Sequence, residues 1–242
     1  MVNLNLSELA INLQIPRIDD VYHPSDDSYL VIDYLDSPEF EELVKKLFEL
    51  KKKVRILDMG CGTGLLGFCT VYKLLSTSKF ESVHLLYTDI NQKAIEVTKF
   101  LVNENFYHIK NLINFKKGSI TFKYHVSDLF EVIPSQKFDI VLFNPPYLPQ
   151  DEEIQKPKPI DNALYGGPEG ISVLNTFFSN LKMFITEESH VFFIASTLGA
   201  LNKFLPQISI NHRITLLQNL HMFFEDFALF HAKKKSQNTN KV

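Results

Sequence analysis

The chain has few cysteines, no tryptophan and no long apolar run. Its 242 residues include only Cys61 and Cys69, which stand eight residues apart in a glycine-rich segment. That arrangement favours reduced thiols over a disulfide or a four-ligand zinc site, so we predict no metal. The longest unbroken apolar run, Val191–Ala195, is far shorter than the roughly 20 residues of a membrane-spanning helix, and we predict no membrane association.

The sequence also lacks a basic leader and a strong charge of either sign. Its first residues, MVNLNLSELAINLQIP, resemble neither a signal peptide nor a transit peptide, so we expect a cytoplasmic location and leave a nuclear fraction open. A net charge of -3 and a pI near 6.2 argue against a protein whose affinity comes from neutralising many phosphates. Stable binding to duplex DNA is therefore disfavoured.

Short β-branched and aromatic runs alternate along the chain with longer amphipathic runs. This pattern indicates βαβ units around a parallel sheet, and we predict an α/β fold. The predicted strands are Val54–Met59, Ser82–Asp89, a stretch ending near Asp128, Phe138–Asn144, His190–Thr197 and an antiparallel pair near His212–Leu217 and Asp226–Lys233. The predicted helices are Ser25–Leu35, Pro38–Leu50, Leu65–Leu75, Gln92–Glu104, Ile171–Phe184 and Leu198–Phe204.

The segment Lys110–Tyr124 does not fit the alternation, and its INFKKGSITF stretch predicts a hairpin inserted before the third strand. We expect an N-terminal extension over 1–20, one domain over 21–233 and a polar, disordered tail over 234–242. Six of the eleven prolines lie between Pro145 and Pro168, in a long irregular loop. Such loops are usually functional when they occur inside a compact domain.

A glycine-rich turn follows the first predicted strand. The segment Ile56–Gly64 is an apolar strand that ends in Asp58 and a turn containing Gly60, Gly62 and Gly64. Glycines let the backbone pass close to a ligand, and the following helix offers free N–H groups at its N-terminus. A merely tight turn would need one or two glycines, so the sequence predicts a nucleotide-like ligand here.

Two acidic residues follow the next two predicted strands. Asp89 can accept both hydroxyls of a ribose, and it can also cap the helix that starts near Gln92. Asp128 could accept an amino hydrogen of an adenine, although an Asp at a strand end is more often a turn or cap residue. Residues 62–67 also fit the G-x-G-x-x-G pattern of dinucleotide binding, with Asp89 at the required distance, so two cofactor classes stay open.

Asn144–Tyr147 follow a strand that is nearly continuously apolar and is therefore expected to be buried on both faces. Ligands of open α/β sheets bind at the carboxyl ends of such strands. The two prolines restrict Asn144 and Pro145 to extended conformations, so the Asn144 oxygen and the Pro145 carbonyl can accept both hydrogens of one planar NH₂ group. Tyr147 offers a flat face for stacking, and the two acceptors can free the nitrogen lone pair towards an electrophilic methyl group.

These motifs resemble those of class I S-adenosylmethionine-dependent methyltransferases. Residues 144–147 are similar to the NPPY motif of the amino-methyltransferases, and Leu57–Gly64 resembles the first motif of the class. Together with Asp89 and Asp128–Phe130, they occur in the family's order. The resemblance implies a Rossmann-like fold with a mostly parallel seven-stranded sheet, an antiparallel last strand and helices on both faces. It also implies S-adenosylmethionine as cofactor, and the dinucleotide becomes a distant second.

Two further segments resemble the HemK-type glutamine methyltransferases. Val21–Leu30 is similar to that family's V-Y-x-P-x-x-D-[ST] segment, which implies that Tyr22 and Ser28 contact the cofactor. Ser25 can at the same time cap a helix whose first turn is acidic. Ala163–Gly170 resembles the family's A-[LW]-x-G-G-x-x-G loop, whose glycines we expect to permit close approach of a substrate backbone.

The short span before Tyr22 and the short span after Gly170 favour the short eukaryotic or archaeal branch of this family. That branch is identified with methylation of the glutamine in the GGQ motif of class I translation release factors. The resemblance implies a heterodimer with a small zinc-binding activator protein that covers a hydrophobic edge of the sheet. The alternatives are methylation of adenine N6 or guanine N2 in nucleic acid, lysine methylation of proteins, and a non-catalytic nucleotide-binding subunit, against which the intact NPPY motif argues.

The resemblance assigns a role to each predicted site residue. Asn144 and Pro145 hold the amide nitrogen in line with the methyl group, and Tyr147 stacks on the amide plane. The 21 phenylalanines fit an exposed apolar patch or a Phe-rich core, and we favour the core. The predicted catalytic residues are Asn144, Pro145, Pro146 and Tyr147, and the predicted cofactor-binding residues are Tyr22, Ser28, Asp58, Gly60, Gly62, Gly64, Asp89, Asp128, Leu129 and Asn144.

Overall fold

The computed structural model describes residues 5–112, 118–150, 158–222 and 224–236. Seven strands form one sheet: β1 (Lys53–Met59), β2 (Ser82–Asp89), β3 (Ser119–Val126), β4 (Ile140–Phe143), β5 (His190–Ser196), β6 (His212–Met222) and β7 (Glu225–Lys234). The helices of the described ranges are α1 (Leu6–Asn12), α2 (Asp26–Leu35), α3 (Pro38–Leu50), α4 (Leu65–Thr77), α5 (Gln92–Leu112), α6 (Ser172–Leu181) and α7 (Leu201–Ile208), with a short 3₁₀ helix at Pro159–Ala163.

The strand order across the sheet is β3-β2-β1-β4-β5-β7-β6. The pairs from β3 to β5 are parallel, whereas β7 is antiparallel to both β5 and β6. The predicted α/β fold, with a mostly parallel seven-stranded sheet and an antiparallel last strand, is confirmed. Because the chain leaves β1 first to one side and later to the other, a crevice opens beyond the carboxyl ends of β1 and β4.

Alternate side chains of the central strands enter two separate cores. Ile56 and Leu85 belong to the core beneath α1 to α5, whereas the neighbouring Leu57 and Leu86 belong to the core beneath α6 and α7. This two-residue period explains why the central strands are apolar without interruption. Most phenylalanines of the described residues lie in these cores, which confirms the core interpretation, although Phe224 is 95% exposed.

The hairpin predicted within Lys110–Tyr124 stays a prediction, because its first arm lies in residues 113–117, outside the described part of the chain. Helix α5 continues to Leu112, eight residues beyond its predicted end, and Ser119 onward forms β3, a single strand parallel to β2. The helix continues past Glu104 because Asn105 is fixed on both sides. Its amide donates to the Leu101 carbonyl at 2.8 Å, and its oxygen accepts the Gln14 N–H at 3.1 Å. The remainder of the segment, 113–117, lies outside the described residues.

The other predicted elements are present, with shifted ends. Helix α7 starts three residues later than predicted, because the Leu198 N–H is bonded to the Ser196 hydroxyl in a turn. Helix α1, which was not predicted, buries Leu6 and Leu9 in the core beneath α1 to α5. The domain limits at residues 20 and 233 stay predictions. Lys234 belongs to β7, and residues 237–242 of the predicted tail lie outside the described residues. None of the described helices has the length and apolar character needed to cross a membrane.

Candidate active site

A cavity of about 280 Å³ opens at the carboxyl ends of β1 and β4. The register of the sheet places Met59 beside Phe143, so the turns that follow these strands start side by side. All the predicted site residues except Gly64 line this cavity: Tyr22, Ser28, Asp58, Gly60, Gly62, Asp89, Asp128, Leu129, Asn144, Pro145, Pro146 and Tyr147.

The glycine turn is the floor of the cavity. Gly60 and Gly62 have φ values of 58° and 54°, a region that L side chains rarely adopt. Gly64 instead serves the packing of the turn. It stands at the N-cap of α4 with φ 82°, and an added Cβ would lie 2.6 Å from the Cγ2 atom of Thr98. Gly64 does not line the cavity, so its position gives no support to the predicted contact with a cofactor.

Asp58 is the last residue but one of β1, just before the glycine turn, and is 2% exposed. Its Oδ2 atom accepts the N–H of Gly67 at 2.8 Å. Burial raises the pKa of this carboxyl to about 8, an effect that the Gly67 hydrogen bond opposes and the nearby Asp89 charge increases. A carboxyl held in this way favours a ligand that carries a positive charge, since such a charge would stabilise the ionised form.

Asp89 braces the same turn from the end of β2. Its Oδ2 atom accepts the Gly62 N–H at 2.9 Å, and its Oδ1 atom accepts the Asn91 N–H at 2.8 Å. Burial raises the pKa of this carboxyl as well. The alternative role of Asp89 as helix cap is wrong, because the Asn91 side chain caps α5 by accepting the Lys93 N–H at 2.9 Å.

Asp128 and Leu129 lie at the far side of the cavity, after β3. Asp128 is exposed, and Leu129 adopts a φ of 43°, held by a 2.9 Å hydrogen bond from the Ser127 hydroxyl to the Leu129 carbonyl. Ile90, which our sequence analysis missed, lines the cavity with half of its side chain exposed. Its signal was an apolar residue directly after Asp89, in a turn that is otherwise polar.

Asn144 presents an unused acceptor. Its Oδ1 atom is buried and has no hydrogen-bond partner among the described residues, while its Nδ2 atom donates to Asp27 Oδ2 at 2.9 Å. An orphaned buried acceptor is costly unless a ligand completes it. This atom therefore marks where a donor, such as the hydrogen of an NH₂ group, would be bound.

The side chain of Tyr147 is held by one contact of its ring and one of its hydroxyl. The ring packs against Phe227 at a centroid distance of 5.5 Å, and the hydroxyl donates to Asp27 Oδ2 at 3.1 Å. Burial, and next the charge of Asp27, raise the pKa of this phenol, so it stays protonated. From the sequence, Asp27 was only a member of the V-Y-x-P-x-x-D-[ST] segment and of an acidic first helical turn, and its contact with this site was missed.

The first turn of α2 forms another wall. Ser25 occupies the predicted N-cap position, but its hydroxyl does not accept a helix N–H in the described structure. Asp27 accepts the Ser28 N–H instead, at 2.6 Å, and also the Tyr22 hydroxyl at 3.1 Å. Tyr22 and Ser28 are thus held against the cavity by the same carboxylate.

The glycine-rich loop packs against the chain's own backbone. An added Cβ on Gly166 would lie 2.5 Å from the Pro146 carbonyl oxygen, and one on Gly170 would lie 2.3 Å from the Tyr147 carbonyl oxygen. Our expectation that these glycines admit a substrate backbone is corrected accordingly. Backbone hydrogen bonds of 2.8–2.9 Å join Leu148–Gln150 to Leu164–Gly167 and seal this contact.

The sequence matches the family described as the methyltransferase small domain over residues 40–157. That range contains the glycine turn, both acidic strand ends and Asn144–Tyr147. The match spans just under half of the chain, and this part of the chain is similar to the methyltransferase small domain. Among the residues that the structure describes, no three His, Cys, Asp or Glu side chains come together as a metal ion would require.

Proteins similar to this chain occur in archaea, fungi and bacteria. A protein of Methanocaldococcus jannaschii assigned as a protein N5-glutamine methyltransferase is 27% identical over 217 residues, covering 88% of this chain and 91% of its own. The catalytic subunit of the eRF1 methyltransferase of Schizosaccharomyces pombe is 27% identical over 76% of this chain and 75% of its own. A release factor glutamine methyltransferase of Bacillus cereus is 26% identical, and the match covers 64% of this chain and 53% of that protein.

Solved structures show the same fold. The E. cuniculi Mtq2-Trm112 complex, described as responsible for methylation of the termination factor eRF1, includes a chain that matches with a TM-score of 0.56 at 18% identity, over 89% of this chain and 99% of that one. A class I S-adenosylmethionine-dependent methyltransferase of Listeria monocytogenes matches with a TM-score of 0.60 at 16% identity, over 98% and 70%. The chain therefore has the class I fold.

Proposed function

We propose that this chain transfers a methyl group from S-adenosylmethionine to the side-chain amide nitrogen, N5, of the glutamine in the GGQ motif of a class I translation release factor. The observation that carries the proposal is Asn144, which lines the cavity with Pro145 and Tyr147 and whose buried Oδ1 atom has no hydrogen-bond partner among the described residues. The archaeal and bacterial relatives named for glutamine methylation, and the fungal relative named for eRF1 methylation, support the same substrate class.

The cavity has the donors and acceptors that S-adenosylmethionine requires. Asp89 would accept the ribose hydroxyls, Asp58 would lie near the positively charged amino group, and Ile90 would pack on the adenine. The positive φ values of Gly60 and Gly62 leave the turn without side chains where the ligand would approach. Bound there, S-adenosylmethionine supplies an electrophilic methyl group on a sulfonium ion.

The residues that follow β4 orient the acceptor nitrogen. Asn144 Oδ1 and the Pro145 carbonyl would each accept one hydrogen of the glutamine NH₂ group, which turns the nitrogen lone pair out of conjugation and towards the methyl group. Tyr147 would stack on the amide plane. Binding in this geometry would accelerate direct displacement of the methyl group from sulfur by the amide nitrogen. The reacting atoms would be held in line, and the nitrogen would have lost its amide resonance.

We further propose a heterodimer with a small, zinc-binding activator protein at the β3 edge of the sheet. In support, β3 pairs on only one side among the described strands, Val126 at its end is 47% exposed, and Phe100 on the adjacent α5 is 42% exposed. The S. pombe relative is named as a catalytic subunit, which implies a partner for that protein. A cytoplasmic location stays a prediction.

The test is transfer of labelled methyl from S-adenosylmethionine to purified class I release factor, with and without the activator. The substrate is supplied with its GGQ glutamine intact or replaced by asparagine, and Asn144→Ala serves as the inactive enzyme. We expect label only on the intact substrate. Equal label on both substrates, or label on lysine or nucleic acid, would refute glutamine as the acceptor.

A further inference from the structure

The carboxylate of Asp27 accepts hydrogen bonds from four residues next to the proposed substrate site. Asp27 lies in the first turn of α2 and is 1% exposed. Its Oδ2 atom accepts Asn144 Nδ2 at 2.9 Å and the Tyr147 hydroxyl at 3.1 Å. Its Oδ1 atom accepts the Ser28 N–H at 2.6 Å and the Ser28 hydroxyl at 3.1 Å, and both oxygens lie 3.1 Å from the Tyr22 hydroxyl.

An ionised carboxylate decides which end of the Asn144 amide faces the cavity. A carboxylate can only accept hydrogen bonds, so the NH₂ end of Asn144 must point at Asp27. The oxygen end is then left to face the site, and Oδ1 is indeed the atom without a partner among the described residues. A hydroxyl or a water molecule in the place of Asp27 would accept either orientation of the amide.

The orientation of this amide matters for the reaction. A flipped Asn144 would aim its own NH₂ group at the NH₂ group of the substrate, and two donors repel where a donor and an acceptor attract. The same carboxylate holds the Tyr147 hydroxyl, so the stacking ring and the amide acceptor are fixed from one point. Such charge-assisted hydrogen bonds are stronger than neutral ones.

We propose that Asp27 is a positioning residue for methyl transfer, which fixes Asn144 with its side-chain oxygen towards the substrate nitrogen. The inference rests on the proposed function of the site but concerns a residue that acts through Asn144. Its direct signature is the state of the Asn144 side-chain NH₂ group, which can be observed without substrate or turnover. X-ray density does not distinguish the amide oxygen from the nitrogen at ordinary resolution, so NMR is the method of choice.

The first experiment compares ¹⁵N spectra of asparagine side chains in the native chain, in Asp27→Asn and in the matched control Asp26→Asn. Asp26 is the adjacent, exposed residue of the same helix turn. The Asn144 signal is assigned by its loss in Asn144→Ala. We expect slow hydrogen exchange of this NH₂ group in the native chain and in Asp26→Asn, and fast exchange in Asp27→Asn. Unchanged exchange in Asp27→Asn would overturn the inference, whether or not the chain methylates release factor.

The second experiment measures kinetics with the same variants. We expect Asp27→Asn to lower kcat by about 10- to 100-fold, the loss of one charge-assisted hydrogen bond, and to raise the Kd of S-adenosylmethionine by a smaller factor, because Asp27 also holds Tyr22 and Ser28. Asp26→Asn should match the native enzyme. A kcat within twofold of native, or a loss of cofactor affinity as large as the loss of kcat, would overturn the positioning role.

A swapped pair distinguishes the loss of Asn144 orientation from other effects of Asp27→Asn. In the double variant Asp27→Asn with Asn144→Asp, the amide at position 27 donates to the carboxylate at position 144, whose other oxygen still faces the cavity as an acceptor. We expect this pair to recover at least tenfold of the kcat lost in Asp27→Asn, with the melting temperature followed in parallel. Equal kcat in the single and double variants would show that acceptor orientation is not the function of Asp27. If the native chain methylates no release factor, the proposed function fails, and the exchange experiment still decides the role of Asp27.

Discussion

Gly170→Ala tests whether the glycine-rich loop Ala163–Gly170 positions the catalytic segment Asn144–Tyr147. Gly170 has φ 69°, and an added Cβ would lie 2.3 Å from the Tyr147 carbonyl oxygen. The left-handed conformation costs a residue with a side chain about 1–2 kcal/mol, and relieving the overlap costs about 1–3 kcal/mol more. We therefore expect the free energy of unfolding to fall by about 2–5 kcal/mol, and kcat to fall because the backbone of Tyr147 must move.

Gly199→Ala is the matched control. Gly199 lies next to Gly170, lacks the left-handed conformation, and an added Cβ would have its nearest neighbours at 3.4 Å, an ordinary contact distance. Urea unfolding followed by circular dichroism gives both stabilities, and methyl transfer to release factor gives kcat. Equal stability and equal kcat in the two alanine variants would refute the argument that the loop packs too closely against the catalytic segment to admit a side chain at Gly170.

Three further predictions concern charge and catalysis. Because burial raises the pKa of Asp58 to about 8, binding of a cationic ligand at pH 7 should release a proton from this carboxyl. Calorimetry in two buffers of different ionisation enthalpy measures the proton release, and identical binding heats in both buffers would contradict the prediction. Burial lowers the pKa values of His190 and His231, to about 3 and about 4, so the unfolded chain binds more protons below pH 6.5 and stability should fall by up to about 1.4 kcal/mol per pH unit for each histidine. Urea midpoints that do not change between pH 6.5 and pH 5 would exclude this effect. Asn144→Ala should abolish transfer with little change in the Kd of S-adenosylmethionine, since it removes an acceptor for the substrate; an equal loss of cofactor binding would make Asn144 a cofactor residue.

The fold and the strand ends of the site were predictable because their signals are local. A continuous apolar strand, its parallel neighbours and the turn residues that follow them are all readable within a few positions of each other. Asp58, Asp89 and Asn144 were found in this way, since the carboxyl ends of parallel strands meet at one edge of the sheet. The end of α5 shows the limit, because the helix continues eight residues past the end that the local pattern predicted.

The missed features depend on contacts between distant parts of the chain. Asp27 and Asn144 are separated by 117 positions, and the motif that distinguishes Asp27 from Asp26 gives no sign of their contact, which only the fold reveals. The extension of α5 depends on a hydrogen bond between Asn105 and Gln14, 91 positions away. The partner of the glycine-rich loop is likewise the backbone of Tyr147, which no spacing rule indicates.

The backbone bonds between Leu148–Gln150 and Leu164–Gly167 hold together the two ends of the chain segment that lies between them. Because these ends are bonded to each other, residues added between them would cost only the slowly growing entropy of a longer loop, about 0.6 kcal/mol for each doubling of its length. An insertion there should therefore leave Asn144 and Tyr147 in place, so the length of this segment and the geometry of the site can change independently.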